Sequence, residues 1–344
     1  MSSSVTKEGL QEVHPGREAV SQVQASSEVT RRPRERTGGG ERSMVGEANF
    51  RSYYGKPIIN KPVWEAPDIP GYLFLGGLAG ASSVMAAAAT ATRRGSLARA
   101  LKLSSTAAIT LSGVALVHDL GRPSRFTNML RVLKPSSPMS VGSWLLAGFA
   151  PLSAASSLSA LTGRLRPIGA VGTAGAALLG PAVATYTAAL VSNTAVPAWH
   201  EGYKEMPFVF AASALSSAAG MGLVAAPLQE SGSARLIGVV SGAAELGLME
   251  LMKRNMGEVK EAFTESEKAH RYEKGARIAI VAGISAGALL GKRSRIASAL
   301  AGAGLLIGSA LSRFAIFEAG LESAEDPRYT VVPQRRRAEE RDRG

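Results

Sequence analysis

Ile69–Thr92 reads IPGYLFLGGLAGASSVMAAAATAT, 24 residues without an Asp, Glu, Lys or Arg. As a helix rising 1.5 Å per residue it extends ~36 Å, enough to cross a hydrocarbon core of ~30 Å. Three further charge-free runs repeat the pattern: Val141–Leu161 (21 residues), Ile168–Val191 (24) and Phe208–Leu228 (21). Shorter or less pure candidates lie between and after them, at Leu103–His118, Leu236–Met252 with two Glu inside it, Ile278–Gly291 and Ile296–Ser312. The loops separating these segments are too short to hold a soluble domain. The expected fold is an all-α polytopic membrane protein with eight transmembrane helices, packed as two four-helix bundles, in the plasma membrane.

These spans are rich in Ala, Gly, Ser and Thr and modest in Leu and Ile, as in Ala86–Ala89 and Gly169–Gly180. In lipid, small residues let helix backbones approach closely and let hydroxyls bond across helices, so the composition suits a compact bundle. An Ala-rich soluble helical protein would need polar faces that these runs lack.

The 344 residues carry 39 Lys+Arg against 27 Asp+Glu, a formal charge of +12. The ends are nearly balanced, with ten basic and eight acidic residues up to Ala66 and six against seven from Glu318, so the excess belongs to Pro67–Phe317. Residues 1–49, with TRRPRERTGGGERS at Thr30–Ser43, cannot bury a core and are expected to be disordered. The start MSSSVTKEGLQEVHPG has no apolar stretch, so no secretory signal peptide is expected. Residues 50–317 form the expected membrane domain and 318–344 a charged tail, with disorder expected over Pro333–Gly344. Glu alternates with Arg in the basic runs, which argues against nucleic acid as a partner. Lys and Arg are denser in one set of loops and more numerous in the other, so the positive-inside rule leaves the orientation open.

The chain has no Cys, which rules out any iron–sulfur cluster or thiolate zinc site held by its own residues. Its four His, at 14, 118, 200 and 270, are too few and too scattered for an intramembrane haem stack. Electrons would have to arrive on another subunit, and no catalytic or metal-ligating residue is expected here.

Charged groups inside a membrane cost roughly 2.5–3.5 kcal/mol each at a helix centre, so those present are candidates for function. Glu245, in GAAELGLME, falls midway along the sixth span, where a carboxylate must face the interior, pair or stay protonated. A proton relay and a plain interhelical hydrogen bond are both open to it. Glu250 precedes Arg254 by four residues, the favourable order for a pair on a helix surface. Arg313, just beyond the last charge-free run, is expected to snorkel to the interface. A denser cluster closes the second span at His118, Asp119 and Arg122, and an even number of crossings puts Trp64, Asp68, Tyr72, Trp199 and His200 on the same side. That cluster reads either as a ligand site or as interface anchoring by aromatic residues and Asp–Arg pairs.

Three segments together resemble the NrfD/PsrC family, the membrane subunits of polysulfide-reductase-like molybdenum oxidoreductases. They are PDIPGYLFLGGLAGAS (Pro67–Ser82), HDLGRPSRFTNMLRVLKPSSPMSVGSW (His118–Trp144) and TYTAALVSNTAVPAWHEGYKEMPFVF (Thr185–Phe210). The resemblance covers roughly Asn49–Leu228 and weakens afterwards. It implies an eight-helix subunit without a redox centre of its own, exchanging electrons with a four-cluster iron–sulfur subunit that serves a molybdopterin catalytic subunit. It also implies a pocket for quinone or quinol, menaquinone or ubiquinone, at the membrane face meeting that partner. The matching positions are Tyr72, His118, Asp119, Arg122 and Tyr186, with Asp68 where polar contacts are expected. Glu245 is then the natural proton relay. The competing readings are a transporter, for which Glu245, Pro181 and Pro227 would mark a midplane site, and an anchor that holds partners without quinone.

Overall fold

The computed structural model describes residues 58–120 and 124–343. The expectation for residues 1–49 therefore lies outside the described residues. Among those described, every regular element is helical. Eight long helices are α1 Asp68–Ala91, α2 Gly95–Asp119, α3 Pro138–Thr162, α4 Arg166–Ser192, α5 Met206–Ala225, α6 Gly232–Asn255, α7 Glu267–Leu289 and α8 Arg295–Glu325. Six of them, all but α6 and α7, are long and apolar enough to cross a membrane. The expectation of eight is thus met in helices and not in apolar spans. The reason is local: α6 carries Arg235, Glu245, Glu250, Lys253 and Arg254, and the first half of α7 carries Glu267, Lys268, Arg271, Glu273, Lys274 and Arg277.

Val63–Gly320 form one compact unit. Within it α1 packs on α2, α4 and α5, α3 on α4, and α6 on α5 and α7. Glycine makes the closest of these approaches possible. A Cβ on Gly80 of α1 would run into the Gly180 carbonyl of α4 and stand 2.9 Å from the Ala184 nitrogen. A Cβ on Gly220 of α5 would lie 2.7 Å from the Gly302 carbonyl of α8. Hydroxyls bridge the same interfaces, Ser105 to Ser153 at 2.9 Å, Thr106 to Ser157 at 2.7 Å, Ser156 to Thr173 at 2.7 Å and Ser213 to Ser309 at 2.6 Å. Small-residue packing is what the composition predicts in a lipid environment.

The connectors are asymmetric. Those joining α1 to α2, α3 to α4, α5 to α6 and α7 to α8 are short, and Gly163, in the left-handed region at φ 68°, ends α3. The links α2 to α3, α4 to α5 and α6 to α7 are longer and contain the small helices Arg125–Met129, Pro197–His200, Gly257–Glu261 and Ala262–Glu265. Alternation of helix direction puts all three long connectors on one face. On the opposite face the N-terminus of α2 has no capping side chain of its own, and Glu230 from the α5–α6 connector accepts the Leu97 N–H at 2.9 Å instead. That backbone N–H holds the Glu230 carboxyl below the usual carboxylate range.

Trp199 is a packing pillar rather than an interface anchor. It is fully buried, donates its indole N–H to the Ile316 carbonyl at 2.9 Å, stacks on Trp64 at 5.5 Å and meets the tilted Phe317 ring at 5.8 Å. Arg313 also departs from expectation. α8 continues twelve residues beyond it, so the guanidinium cannot reach the interface and lies 1% exposed, its Cζ 3.5 Å from the Phe210 ring centre and its Nη2 donating to the Phe210 carbonyl at 2.9 Å.

Among the described residues, 58–62 and 321–343 belong to a second unit. Its described part contains an ion pair between Lys61 and Glu325 and the helix α9, Arg328–Arg343. Helix therefore occupies the segment whose charge pointed to disorder. Gln, Arg, Ala and Glu are strong helix formers, and charge alone does not override that propensity.

Candidate functional site

On the face of the long connectors, a cavity of about 130 Å³ opens between the start of α1, the ends of α2 and α4, and the start of α3. Its walls are apolar: Trp64, Ile69 and Leu73 on one side, Leu116 and Leu120 on the next, and Met129, Met139, Leu146, Leu190 and Val191 closing the rest. Tyr72 and Tyr186 line it and bond to each other through their hydroxyls, both buried. Each comes from a different helix, and their meeting depends on Gly142 of α3. A Cβ there would overlap the Tyr186 ring, standing 2.8 Å from Cδ2 and 3.2 Å from Cζ.

Polar groups are few. Asp119, the last residue of α2, lines the cavity and accepts the Glu65 backbone N–H. His118 and Asp68 sit at the same helix ends but outside the lining, joined Nδ1 to Oδ2 at 2.6 Å, with the His118 side chain 78% exposed. Ser143, also lining the cavity, spends its hydroxyl on the Met139 carbonyl at 2.9 Å.

Of the residues expected to form the site, Tyr72, Asp119 and Tyr186 share the cavity, and Asp68 and His118 form a pair beside it. Arg122 lies outside the described residues. Sequence reasoning missed Met129, Met139, Ser143 and Leu146. They fall within the quoted His118–Trp144 stretch and immediately after it, yet as apolar or small residues they carry no chemical signal of their own. Gly142 was missed for the same reason.

Glu245 is not part of this cavity. It is 1% exposed on the inner side of α6, close to Arg313 of α8 and to the hydroxyls of Ser213 and Ser312. Despite those neighbours, neither carboxylate oxygen makes a hydrogen bond of normal geometry, nor do Nε and Nη1 of Arg313. The described residues contain no cluster of His, Asp and Glu able to hold a metal ion.

Residues 58–235 match the family model described as polysulphide reductase, NrfD. The matched stretch contains every cavity residue and ends at the start of α6, before Glu245. Comparison with curated proteins gives no match.

Proposed function

The chain belongs to the NrfD family, and from that premise we propose that it is the quinone-reactive membrane subunit of a polysulfide-reductase-like oxidoreductase complex, passing electrons between a quinone and an iron–sulfur partner. The observation that carries the reading is the cavity: apolar walls closed at one point by two hydroxyls. Ligand sites of this kind combine a predominantly apolar lining with a few placed polar groups, and that lining suits a quinone head group with its tail in lipid.

A bound quinol supplies two electrons and two protons. The residues of the chain bind, orient and move protons. Whichever tyrosine donates within the Tyr72–Tyr186 pair, the other keeps an O–H for a further acceptor, so the pair presents one donor to a ligand oxygen. Asp119 offers an acceptor on the cavity wall. His118 directly precedes it in sequence and is exposed, and it carries the side chain whose charge changes most readily near neutral pH. Together with Asp68 it makes a short path of titratable groups from the wall to water. The chain has no thiolate ligands for clusters, so electrons would leave to a partner, and the face bearing the long connectors is where such a partner would dock. A molybdopterin subunit would complete the complex.

Eight crossings also belong to this reading. The charges of α7 gather in its first half, leaving Ile278–Leu289 free of them, and α6 has none between Arg235 and Glu245. The chain has no Cys, so single cysteines can be placed at Lys260 and Ser294 and labelled from each side. Eight crossings put them on opposite sides; labelling of both from one side contradicts eight.

A transporter is the weaker reading. α4 runs unbroken through Pro181 and Pro227 falls in a connector, whereas transporters place their sites at broken helices. The test is isolation of the intact complex in mild detergent, with metal analysis and extraction of bound quinone. Copurifying iron and molybdenum with quinone is the expected result. A transporter would purify without the iron–sulfur partner, and an inert anchor would bring the partner without quinone.

A further inference from the structure

Beyond the matched segment, α6, α7 and α8 line a second and larger cavity of about 550 Å³. Its lining includes Glu245, ten residues from the end of α6, a depth of about 15 Å at 1.5 Å per residue. Its rim is a charged collar. Lys253 bonds Glu273 at 2.5 Å and Glu250 at 3.4 Å, and Arg277 stands 3.6 Å from both carboxylates. Arg254 completes it at 3.4 Å from Glu250. The collar lies at the end of α6 and the start of α7, on the face that carries the Tyr72 cavity.

Two facts make an empty or lipid-filled cavity unfavourable. Both oxygens of a fully buried carboxylate lack hydrogen-bond partners, as do two nitrogens of the Arg313 guanidinium beside it. A buried charged group left unsatisfied carries several kcal/mol of desolvation penalty; as packed these atoms have no accessible surface, so water in the cavity reaches the carboxyl when the Glu245 side chain swings toward it. Arg313 reaches the other way as well: a Cβ on Gly77 of α1 would lie 3.7 Å from its Nη2. The same helix carries Tyr72 five residues earlier.

We propose that this cavity is a water-filled well through which Glu245 exchanges protons with the face bearing the Tyr72 cavity, with Arg313 as its buried counter-charge. The charged groups bordering the path are Glu250, Lys253 and Arg254 on α6, Glu273 and Arg277 on α7 and Arg313 on α8; α5 contributes only the Ser213 hydroxyl. The proton-relay purpose rests on the proposed quinone function, whereas the existence of the well does not, and the test separates them.

Gly247 lines the well, and a Cβ there meets nothing within 4 Å. In native membranes holding the full chain, Gly247→Cys should react with a membrane-impermeant charged thiol reagent on the order of tenfold or more faster than Val240→Cys, because the thiolate forms only in water. Val240 is the control, 60% exposed on the same helix and away from the well. A water-soluble carbodiimide, which attacks protonated carboxyls, should label Glu245 in the wild type, and Gly247→Leu should suppress that labelling by filling the well. Reaction of Gly247→Cys only with a lipid-soluble reagent would mean that acyl chains fill the cavity. That result, or carbodiimide labelling absent in the wild type or indifferent to Gly247→Leu, overturns the proposal. None of these readouts depends on quinone turnover, so failure of the quinone reading leaves them intact.

Discussion

The cavity at Tyr72 and the charged collar beside Glu245 lie toward the same face, and the two cavities differ in size, lining and bonding. The first is small and apolar, its two phenols bonded to each other with one O–H left over for a ligand. The second is large, ringed with charge and ends on a carboxylate and a guanidinium whose bonding capacity is not met within the protein. The first lies within the family match, and the residues lining the second lie beyond its end. An apolar pocket with one spare donor suits a ligand that brings its own acceptor, whereas a charged one with unmet bonding capacity demands water or a proton. The difference teaches that one face of a helical bundle can serve two chemistries if the polar groups are segregated by helix.

The largest expected effect falls on Glu245 and Arg313. Glu245→Leu leaves Arg313 buried without a counter-charge, and breaking such a pair from one side costs about 3–5 kcal/mol. A large fall in thermal midpoint of the purified complex is expected, and Glu245→Leu with Arg313→Met should recover most of it. If the single variant is as stable as the wild type, the two groups do not form an interacting pair.

The next effect is on the other cavity and is one of activity. Tyr72→Phe or Tyr186→Phe removes half of a buried hydroxyl pair worth about 1–3 kcal/mol, equivalent to a drop in quinone turnover on the order of 10- to 100-fold. The double variant should be little worse than either single one, since the hydroxyls act as a unit. Gly142→Ala should act in the same direction by displacing the Tyr186 ring. Full turnover in all three would remove the pair from the site.

How much of this was readable without coordinates varies by residue. Tyr72 and Asp119 were legible because they sit at span ends that an even number of crossings puts on one side, and Tyr186 was legible through the family resemblance alone. Glu245 was legible because a carboxylate stands out in an apolar run. Its cavity was not, since three helices from separate stretches build it. Arg313 was misread because the charge-free run stops at Ser312, while the helix continues to Glu325 and turns an apparent span end into a span interior. The charge of α6 and α7 was visible throughout, and it is what holds the apolar spans to six.

The smallest expected effect lies on the opposite face. Glu230 caps α2, and its carboxyl is held below its ordinary value by the Leu97 N–H, so its contribution is present above the unfolded carboxylate range, near pH 4–5, and is lost as pH falls through the lower folded value. Glu230→Gln should therefore lower the thermal midpoint slightly at pH 7, and the gap to wild type should close in acid. A gap that persists unchanged at acid pH would mean that the carboxylate charge contributes nothing to the cap.

The central claim, that quinone binds at Tyr72 and Tyr186, is tested most directly by photolabelling the purified complex with an azidoquinone and mapping the modified residues by mass spectrometry. The account predicts label on the cavity wall, at Met129, Met139 or Leu190, displaced by excess unlabelled quinone and lost in Gly142→Val. Label that is confined to outward-facing positions such as Leu178, or that excess quinone does not displace, would contradict it.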